Sequence, residues 1–301
     1  MTLRSGLMRF LLREDINFLL TNRLPRRFAT QAMGRFSKIR QPLVRDWSLR
    51  AWRFFSDVDL SDAALPRFAS LHDAFTRALV PGARRADPDP DVVASPCDAI
   101  VGAHGRIDGD RLYQVKGFPY RLGDLIPDPA VVERFRDGTF VTLRLTAAMY
   151  HRFHAPHDIT VEAVTYLSGD CWNVNPIALK RVEKLFCRNE RAVIEARLTT
   201  GEPMLLVPVA AILVACIRLA FLDTEKALRE GGARRIACDV AVAKGEEMGW
   251  FEHGSTIIMF VPPGFALVQG IADGMPVRAG QALLKRDPEK SSPARGGGPL
   301  A

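Results

Sequence analysis

The 301-residue chain has no CxxC pair, no HExxH and no GxSxG. Those absences exclude the usual thiol redox motif, the zinc-hydrolase helix and the serine-hydrolase elbow. It also lacks a long apolar run. The longest, Met204 to Ile217, is fourteen residues and contains Pro208, against the roughly 20 that a membrane-crossing helix needs. That run is expected to form a buried strand. Five cysteines, odd in number, point to a reduced compartment. Glu14 and Asp15 interrupt the first apolar stretch, and no small-residue cleavage site follows. A secretory signal is therefore not expected, and any membrane contact should be peripheral and on the cytoplasmic side.

What is present is unevenly distributed. Residues 1–53 carry twelve Lys and Arg against three acids, while the rest of the chain is slightly acidic. Such a basic arm suits nucleic acid, anionic lipid or an acidic partner. Within it, Phe36, Ile39, Leu43, Trp47, Ala51 and Phe54 recur at steps of three and four, the spacing of one apolar helical stripe. Arg35, Lys38, Arg45 and Arg53 fall largely outside that stripe. The pattern fits an interfacial helix, and equally a helix packed on its own domain with a solvated basic face. No nucleic-acid-binding motif accompanies the charge.

Three regions follow from texture. Residues 1–60 are helix-patterned and divided by Pro25 and Pro42. A turn-rich stretch covers Val80 to Pro90. From Asp91, short apolar runs broken by Gly, Pro and Asp predict strands at Ile107–Tyr113, Phe140–Leu145, Ile159–Leu167 and Ala192–Leu198. The fold class is α+β: short N-terminal amphipathic helices, then a β-rich domain. Between Val268 and Leu284, paired apolar residues about a Gly turn predict a hairpin of the barrel-sandwich kind, without the Lys a swinging-arm carrier needs. A flexible tail is expected from about residue 288.

Three constellations could carry chemistry. Tyr150-His151-Arg152-Phe153-His154-Ala155-Pro156-His157 places three histidines three apart, but Pro156 and the β-branched sequel argue for strand or loop. A histidine acting as base or orienter is favoured over a metal site. Ser95-Pro96-Cys97-Asp98-Ala99 leads an aspartate into a strand start, where a carboxylate is usually a cap. Gly249-Trp250-Phe251-Glu252-His253-Gly254-Ser255-Thr256 opens an all-apolar strand and sets a hydroxyl directly after an unhindered glycine carbonyl.

Taken in order, these blocks resemble the pyruvoyl-dependent phosphatidylserine decarboxylase family. The others are Gln114-Val115-Lys116-Gly117, Asn173-Val174-Asn175-Pro176, Phe186-Cys187-Arg188-Asn189-Glu190-Arg191 and Lys244-Gly245-Glu246-Glu247-Met248-Gly249. Each motif is weak alone; seven in order, from about residue 25 to 286, are specific. His253 departs from the Leu that many bacterial members carry before Gly-Ser-Thr, and is taken as tolerated variation.

The resemblance implies a proenzyme that cuts itself between Gly254 and Ser255, giving a β chain (1–254) and an α chain (255–301) whose Ser255 becomes a pyruvoyl group. It implies His154 as base, Asp98 as the partner fixing its tautomer, and His151 as proton donor or carboxylate contact. The pyruvoyl group would form a Schiff base with phosphatidylserine and release CO₂ to leave phosphatidylethanolamine, with no metal. The arm, residues 1–60, would then be a membrane-binding region, with Arg26, Arg27, Arg35 and Arg40 facing phosphates. Residues 61–254 and 255–301 would form one catalytic domain, the resemblance also implying a homodimer, with no nucleic-acid partner. Two alternatives remain: an uncleaved membrane-binding module of the same fold, and a pyruvoyl decarboxylase for another amine-bearing lipid.

Overall fold

The computed structural model describes residues 13–22, 25–114, 118–212, 217–226, 234–252 and 255–286. Helices α1 (Glu14–Asn22), α2 (Arg26–Ser37) and α3 (Pro42–Phe55) lead, followed by the short α4 (Leu71–Phe75). Pro42 starts α3 because a proline at the first helical position gives up no hydrogen bond, and the Gln41 side chain caps the turn by accepting from Val44 N at 2.7 Å. The same proline splits the apolar stripe read from the sequence. Phe36 lies on α2, Ile39 on the connection, and Leu43, Trp47 and Phe54 on α3, all exposed.

Strands dominate from there. β1 (Val92–Ala94), β2 (Ala99–Arg106), β3 (Arg111–Tyr113) and β4 (Pro119–Arg121) precede α5 (Leu122–Leu125) and α6 (Pro129–Arg134). β5 (Thr139–Leu145), β6 (Arg152–His154) and β7 (Ile159–Leu167) come next, then α7 (Pro176–Leu179) and α8 (Leu185–Arg188). β8 (Arg191–Leu198), β9 (Pro203–Ala210), β10 (Ile217–Leu219), β11 (Arg234–Val242) and β12 (Glu247–Phe251) follow. β13 (Ser255–Val261), β14 (Phe265–Leu267), β15 (Pro276–Val277) and β16 (Ala282–Arg286) complete the order.

Eight strands form an antiparallel sheet in the order β11-β7-β8-β9-β13-β5-β2-β15. Among the described residues it stays open rather than closing as a barrel. The mixed α+β class is therefore the one read from the sequence. β13 lies between β9 and β5, and every residue from Ser255 to Val261 is buried, which explains its uninterrupted apolar run. Both ladders start at its first residue: Ser255 pairs with Leu145 on one side and Ala210 on the other.

Three expectations change. The strand expected at Ile107–Tyr113 is confined to β3 (Arg111–Tyr113), because a turn at 109–110 precedes it. The run from Met204 is a buried strand only to Ala210, and Ile217 begins a separate strand. The hairpin between Val268 and Leu284 does not form. β15 pairs with β2, whereas β16 pairs with β1 and β14, so the glycine turn at 280 carries the chain from one sheet to another. Gly280 is tied there by Gly280 N to Ser95 O at 2.8 Å, and an added Cβ would meet Arg85 O at 2.3 Å.

A three-stranded sheet, β10-β12-β6, presents the histidine block. Its middle strand requires Gly249, because a Cβ there would lie 2.1 Å from Arg218 O and 2.8 Å from the Phe153 ring.

Candidate active site

Ser255 heads the central strand. Its side chain is fully buried, and its Oγ has no hydrogen-bond partner among the described residues. Leaving such a hydroxyl unsatisfied costs about 1–3 kcal/mol. His253 and Gly254, which join it to β12, lie outside the described residues. Just before them, Glu252 is buried and held by Arg218 Nε at 3.3 Å and Lys38 Nζ at 3.6 Å, so cations from two elements fix the chain at the approach to Ser255.

Ser255 lines a cavity of about 660 Å³. One wall is the end of the sheet, with Leu145, Ala211 and Ile212. The other is made by the leading helices: Met33 and Phe36 from α2, Ala51, Trp52 and Phe55 from α3, and Leu71 and Phe75 from α4. Trp52 Nε1 donates to Ala147 O at 3.1 Å, pinning α3 over the strand ends. The described lining is mostly apolar, and Ser48, Arg144, Thr146, Asn173 and Asn175 join Ser255 as its polar members.

The histidines are placed by β6. His151 Nδ1 lies 2.8 Å from Met149 O and donates to that carbonyl in the tautomer the contact favours. The His151 ring sits 3.8 Å from that of Phe75, centroid to centroid, directly behind the cavity wall. Its own carbonyl accepts from Phe251 N at 2.9 Å, which ties it to the strand that leads to Ser255.

His154 makes two contacts. Its Nδ1 is 2.9 Å from Gly245 O and its Nε2 is 3.0 Å from Tyr150 Oη. A carbonyl can only accept, so Nδ1 carries the proton and neutral Nε2 accepts from the tyrosine. Burial holds His154 below the ordinary imidazole pKa and Arg152 adds to this; the Gly245 bond and the charges of Glu247 and Asp98 oppose it. The ring is therefore neutral at pH 7, the form a base requires.

Asp98 is occupied otherwise than the sequence led us to expect. Arg84 holds it bidentately, Nε to Oδ1 at 2.8 Å and Nη2 to Oδ2 at 2.6 Å, and Ala279 N donates to Oδ1 at 2.9 Å. No hydrogen bond joins Asp98 to His154. The tautomer of His154 is set by the Gly245 carbonyl, because Asp98 is already saturated by the guanidinium and a backbone amide. Asp98 acts on His154 through its charge, across a cluster in which Arg84 also lies 5.9 Å from the Tyr150 ring. The structure thus brings Asp98 and His154 into one polar cluster, and Ser255 and the wall in front of His151 to one cavity. It shows no hydrogen bond from either cluster residue to Ser255 Oγ.

Arg84, Tyr150 and Gly245 were missed as site residues by the sequence reading. Arg84 lay in a stretch read only as turns, and Tyr150 stood beside His151 without an assigned role. Their signal was weak, since one is a loop arginine and the other a tyrosine on the edge of a histidine block.

Other blocks brace the site. Asn189 Nδ2 donates to Ala210 O at 2.8 Å, holding the residue that pairs with Ser255. Gln114 Nε2 donates to Leu179 O and Val182 O, and its Oε1 accepts from Leu185 N. Arg191 donates to the carbonyls of Leu125 and Cys187. Buried side chains spent on carbonyls that no ladder satisfies are structural necessities.

The arm residues divide. Arg26 is turned inward: it is bonded bidentately to Asp170 at 2.6 and 3.1 Å and stacked 3.7 Å from the Trp172 ring centroid, so it is not free for lipid phosphate. Arg35 and Arg40 are exposed. The side chain of Arg27 and the tail from residue 287 lie outside the described residues.

A family model described as phosphatidylserine decarboxylase matches residues 71–285. The chain is 34% identical over 276 residues to the phosphatidylserine decarboxylase proenzyme of Xanthomonas axonopodis pv. citri, covering 89% of this chain and 98% of that one. It is 35% identical over 282 residues to the proenzyme of the same name in Methylococcus capsulatus, covering 91% and 96%. With that of Halorhodospira halophila the identity is 36% over 293 residues, covering 90% and 93%.

Proposed function

The chain belongs to the phosphatidylserine decarboxylase family and is a decarboxylase made as a proenzyme; from that premise we propose that it cuts itself at Gly254–Ser255, that Ser255 becomes its pyruvoyl group, and that it converts phosphatidylserine to phosphatidylethanolamine. The observation that carries this reading is the buried Ser255 Oγ without a partner, at the head of the central strand and on an apolar cavity.

In the proposed maturation, Ser255 Oγ gives up its proton to a base and bonds to the Gly254 carbonyl carbon. The Gly254–Ser255 C–N bond breaks, and the nitrogen takes up a proton to leave an ester. Loss of the Ser255 α-proton then expels the Gly254 carboxylate and leaves a dehydroalanine. Its imine tautomer takes up water, releases ammonia and leaves the pyruvoyl carbonyl. His154, neutral and held by Gly245, is the base in this reading, and Asp98 stabilises its charged form through space. The prosthetic group arises from Ser255 itself and needs no separate pocket, so a serine at this position fits it.

The group would supply an electron sink for the bond to the departing CO₂. The chain's own residues do the rest. The apolar walls exclude water and leave the substrate carboxylate poorly solvated, which favours its loss as neutral CO₂. His151, behind Phe75, is the proposed donor of the proton that replaces it. After the cut, β13 still lies between β9 and β5, so the two chains of the precursor stay joined through the sheet.

One expected result concerns pH. Burial keeps His154 below the ordinary value of about 6.5. A base must be unprotonated, so the scission rate should be level across pH 7–8 and fall only below about pH 6.5. Precursor made by cell-free synthesis and followed at set pH values reports this. An inflection above the ordinary imidazole value would contradict the assignment.

We further propose that the enzyme sits peripherally on an anionic membrane, on the cytoplasmic side, with residues 1–60 as its contact. No described helix is long and apolar enough to cross a bilayer. The leading helices expose large apolar side chains instead: Phe28 at 71%, Leu43 at 68% and Trp47 at 68%. Exposed Arg35, Arg40, Arg50 and Arg53 accompany them. Because α2 and α3 also line the cavity, a lipid reaching this surface would meet the entrance directly. Leu43→Ser with Trp47→Ser should weaken binding to phosphatidylglycerol-containing vesicles about tenfold or more. Unchanged sedimentation with vesicles would contradict the contact.

Activity itself is tested by incubating the matured enzyme with phosphatidylserine labelled at the serine carboxyl. Labelled CO₂ and unlabelled phosphatidylethanolamine are expected. Maturation without CO₂ release would leave another amine-bearing lipid as substrate.

A further inference from the structure

Arg144, on β5, is the only charged residue among those lining the cavity at Ser255. It is half-buried, and its guanidinium has no ion pair or hydrogen bond among the described residues. Desolvation depresses its pKa, and the acid whose field reaches it, Asp273, makes no ion pair with it. A guanidinium drawn out of water without a counter-charge is unfavourable unless an anion comes to meet it. Directly across the ladder stands Thr256, on the same face of the sheet, and its buried hydroxyl also has no partner. Two neighbouring donors therefore lack an acceptor, one residue along the strand from Ser255.

Successive strand residues point to opposite faces, so Thr256 and Arg144 lie on the face that Ser255 does not use. These residues sit at the ends of β5 and β13, where the cavity meets both Ser255 and Arg144. An extended headgroup can pass around that end, with its amine at residue 255 and its anion toward Arg144.

We propose that Arg144 binds the phosphodiester of the aminophospholipid substrate. The inference rests on the decarboxylase reading above and names the residue that recognises the headgroup. The substrate brings two anions, and the chemistry chooses between them. A guanidinium on the carboxylate would stabilise the charge that must disappear as CO₂ leaves, and so oppose the reaction. A guanidinium on the phosphate stabilises ground and transition states alike. It contributes affinity and register without taxing the chemical step. The planar fork of arginine also matches two phosphate oxygens.

The test uses matured wild-type and Arg144→Met enzymes with dihexanoyl phosphatidylserine as substrate and dihexanoyl phosphatidylethanolamine as inhibitor. The variant should mature normally, with KM raised tenfold or more and kcat within about threefold. The product inhibition constant should rise by a similar factor, because the product keeps the phosphate. An unchanged KM overturns the proposal. A raised KM with an unchanged product inhibition constant overturns it too, by assigning Arg144 to the carboxylate. If Arg144→Met does not fold, Arg144→Lys serves: a smaller rise shared by KM and product inhibition supports the proposal, and no rise overturns it. Wild-type enzyme without CO₂ release would instead strike at the decarboxylase reading itself, so the two failures are distinguishable.

Discussion

Ser255→Ala is expected to leave one full-length chain with no decarboxylase activity and with undiminished stability. The first half follows from the proposed role of Ser255 Oγ as the group that opens the Gly254–Ser255 bond. The second comes from the structure. Ser255 Oγ is buried and unpartnered, so its removal deletes an unsatisfied polar group and forfeits no hydrogen bond. Thermal unfolding at or above the wild-type midpoint, together with a single band on a denaturing gel, is the expected outcome. That combination separates lost chemistry from lost structure. A variant that still cuts at this position would remove Ser255 from the account.

The second large effect is at His154. His154→Ala should slow scission by about 10²–10⁴, the usual contribution of a positioned base. It also strands Tyr150 Oη and Gly245 O, so some stability is lost with it. His154→Gln keeps an N–H within reach of Gly245 O and is the better control. It should melt near wild type and still cut slowly. Rapid cutting by His154→Gln would transfer the role of base to another group, with His151 the next candidate by position.

Asp98 calls for a different experiment, because of Arg84. Asp98→Ala would leave that mostly buried guanidinium with Asp62 as its one remaining carboxylate, and breaking a buried pair costs about 3–5 kcal/mol. Failure of that variant to mature would not distinguish folding from catalysis. Asp98→Asn keeps the shape and an acceptor while removing the charge that supports protonated His154.

Much of this was legible in the chain. The strands at 140–145, 159–167 and 192–198 follow from short apolar runs bounded by turn residues, and their bounds differ little from the observed β5, β7 and β8. Ser255 at the head of a buried strand was visible because Ile257 to Val261 is apolar without alternation, as a strand covered on both faces must be. Partner choice was not legible. Nothing local says that Asp98 is met by Arg84 from a turn-rich stretch, or that a backbone carbonyl at Gly245 fixes His154. Those contacts exist only once β6 and β12 are paired and the chain has returned through the 80s. The apolar stripe through Phe36 and Trp47 was read correctly for spacing, yet Pro42 divides it between two helices. The glycine turn at 280 looked like a hairpin because strand patterning does not reveal which sheet each arm will join.

The central claim is that the chain cuts itself at Gly254–Ser255 and converts the new terminus to a carbonyl. Intact mass of freshly purified protein under denaturing conditions tests it most directly. The account predicts two species, residues 1–254 and residues 255–301, the smaller lacking an N-terminal amine and reacting with hydrazine. A single species of the full 301 residues from folded protein, or a smaller fragment that begins with an ordinary serine amine, would contradict it.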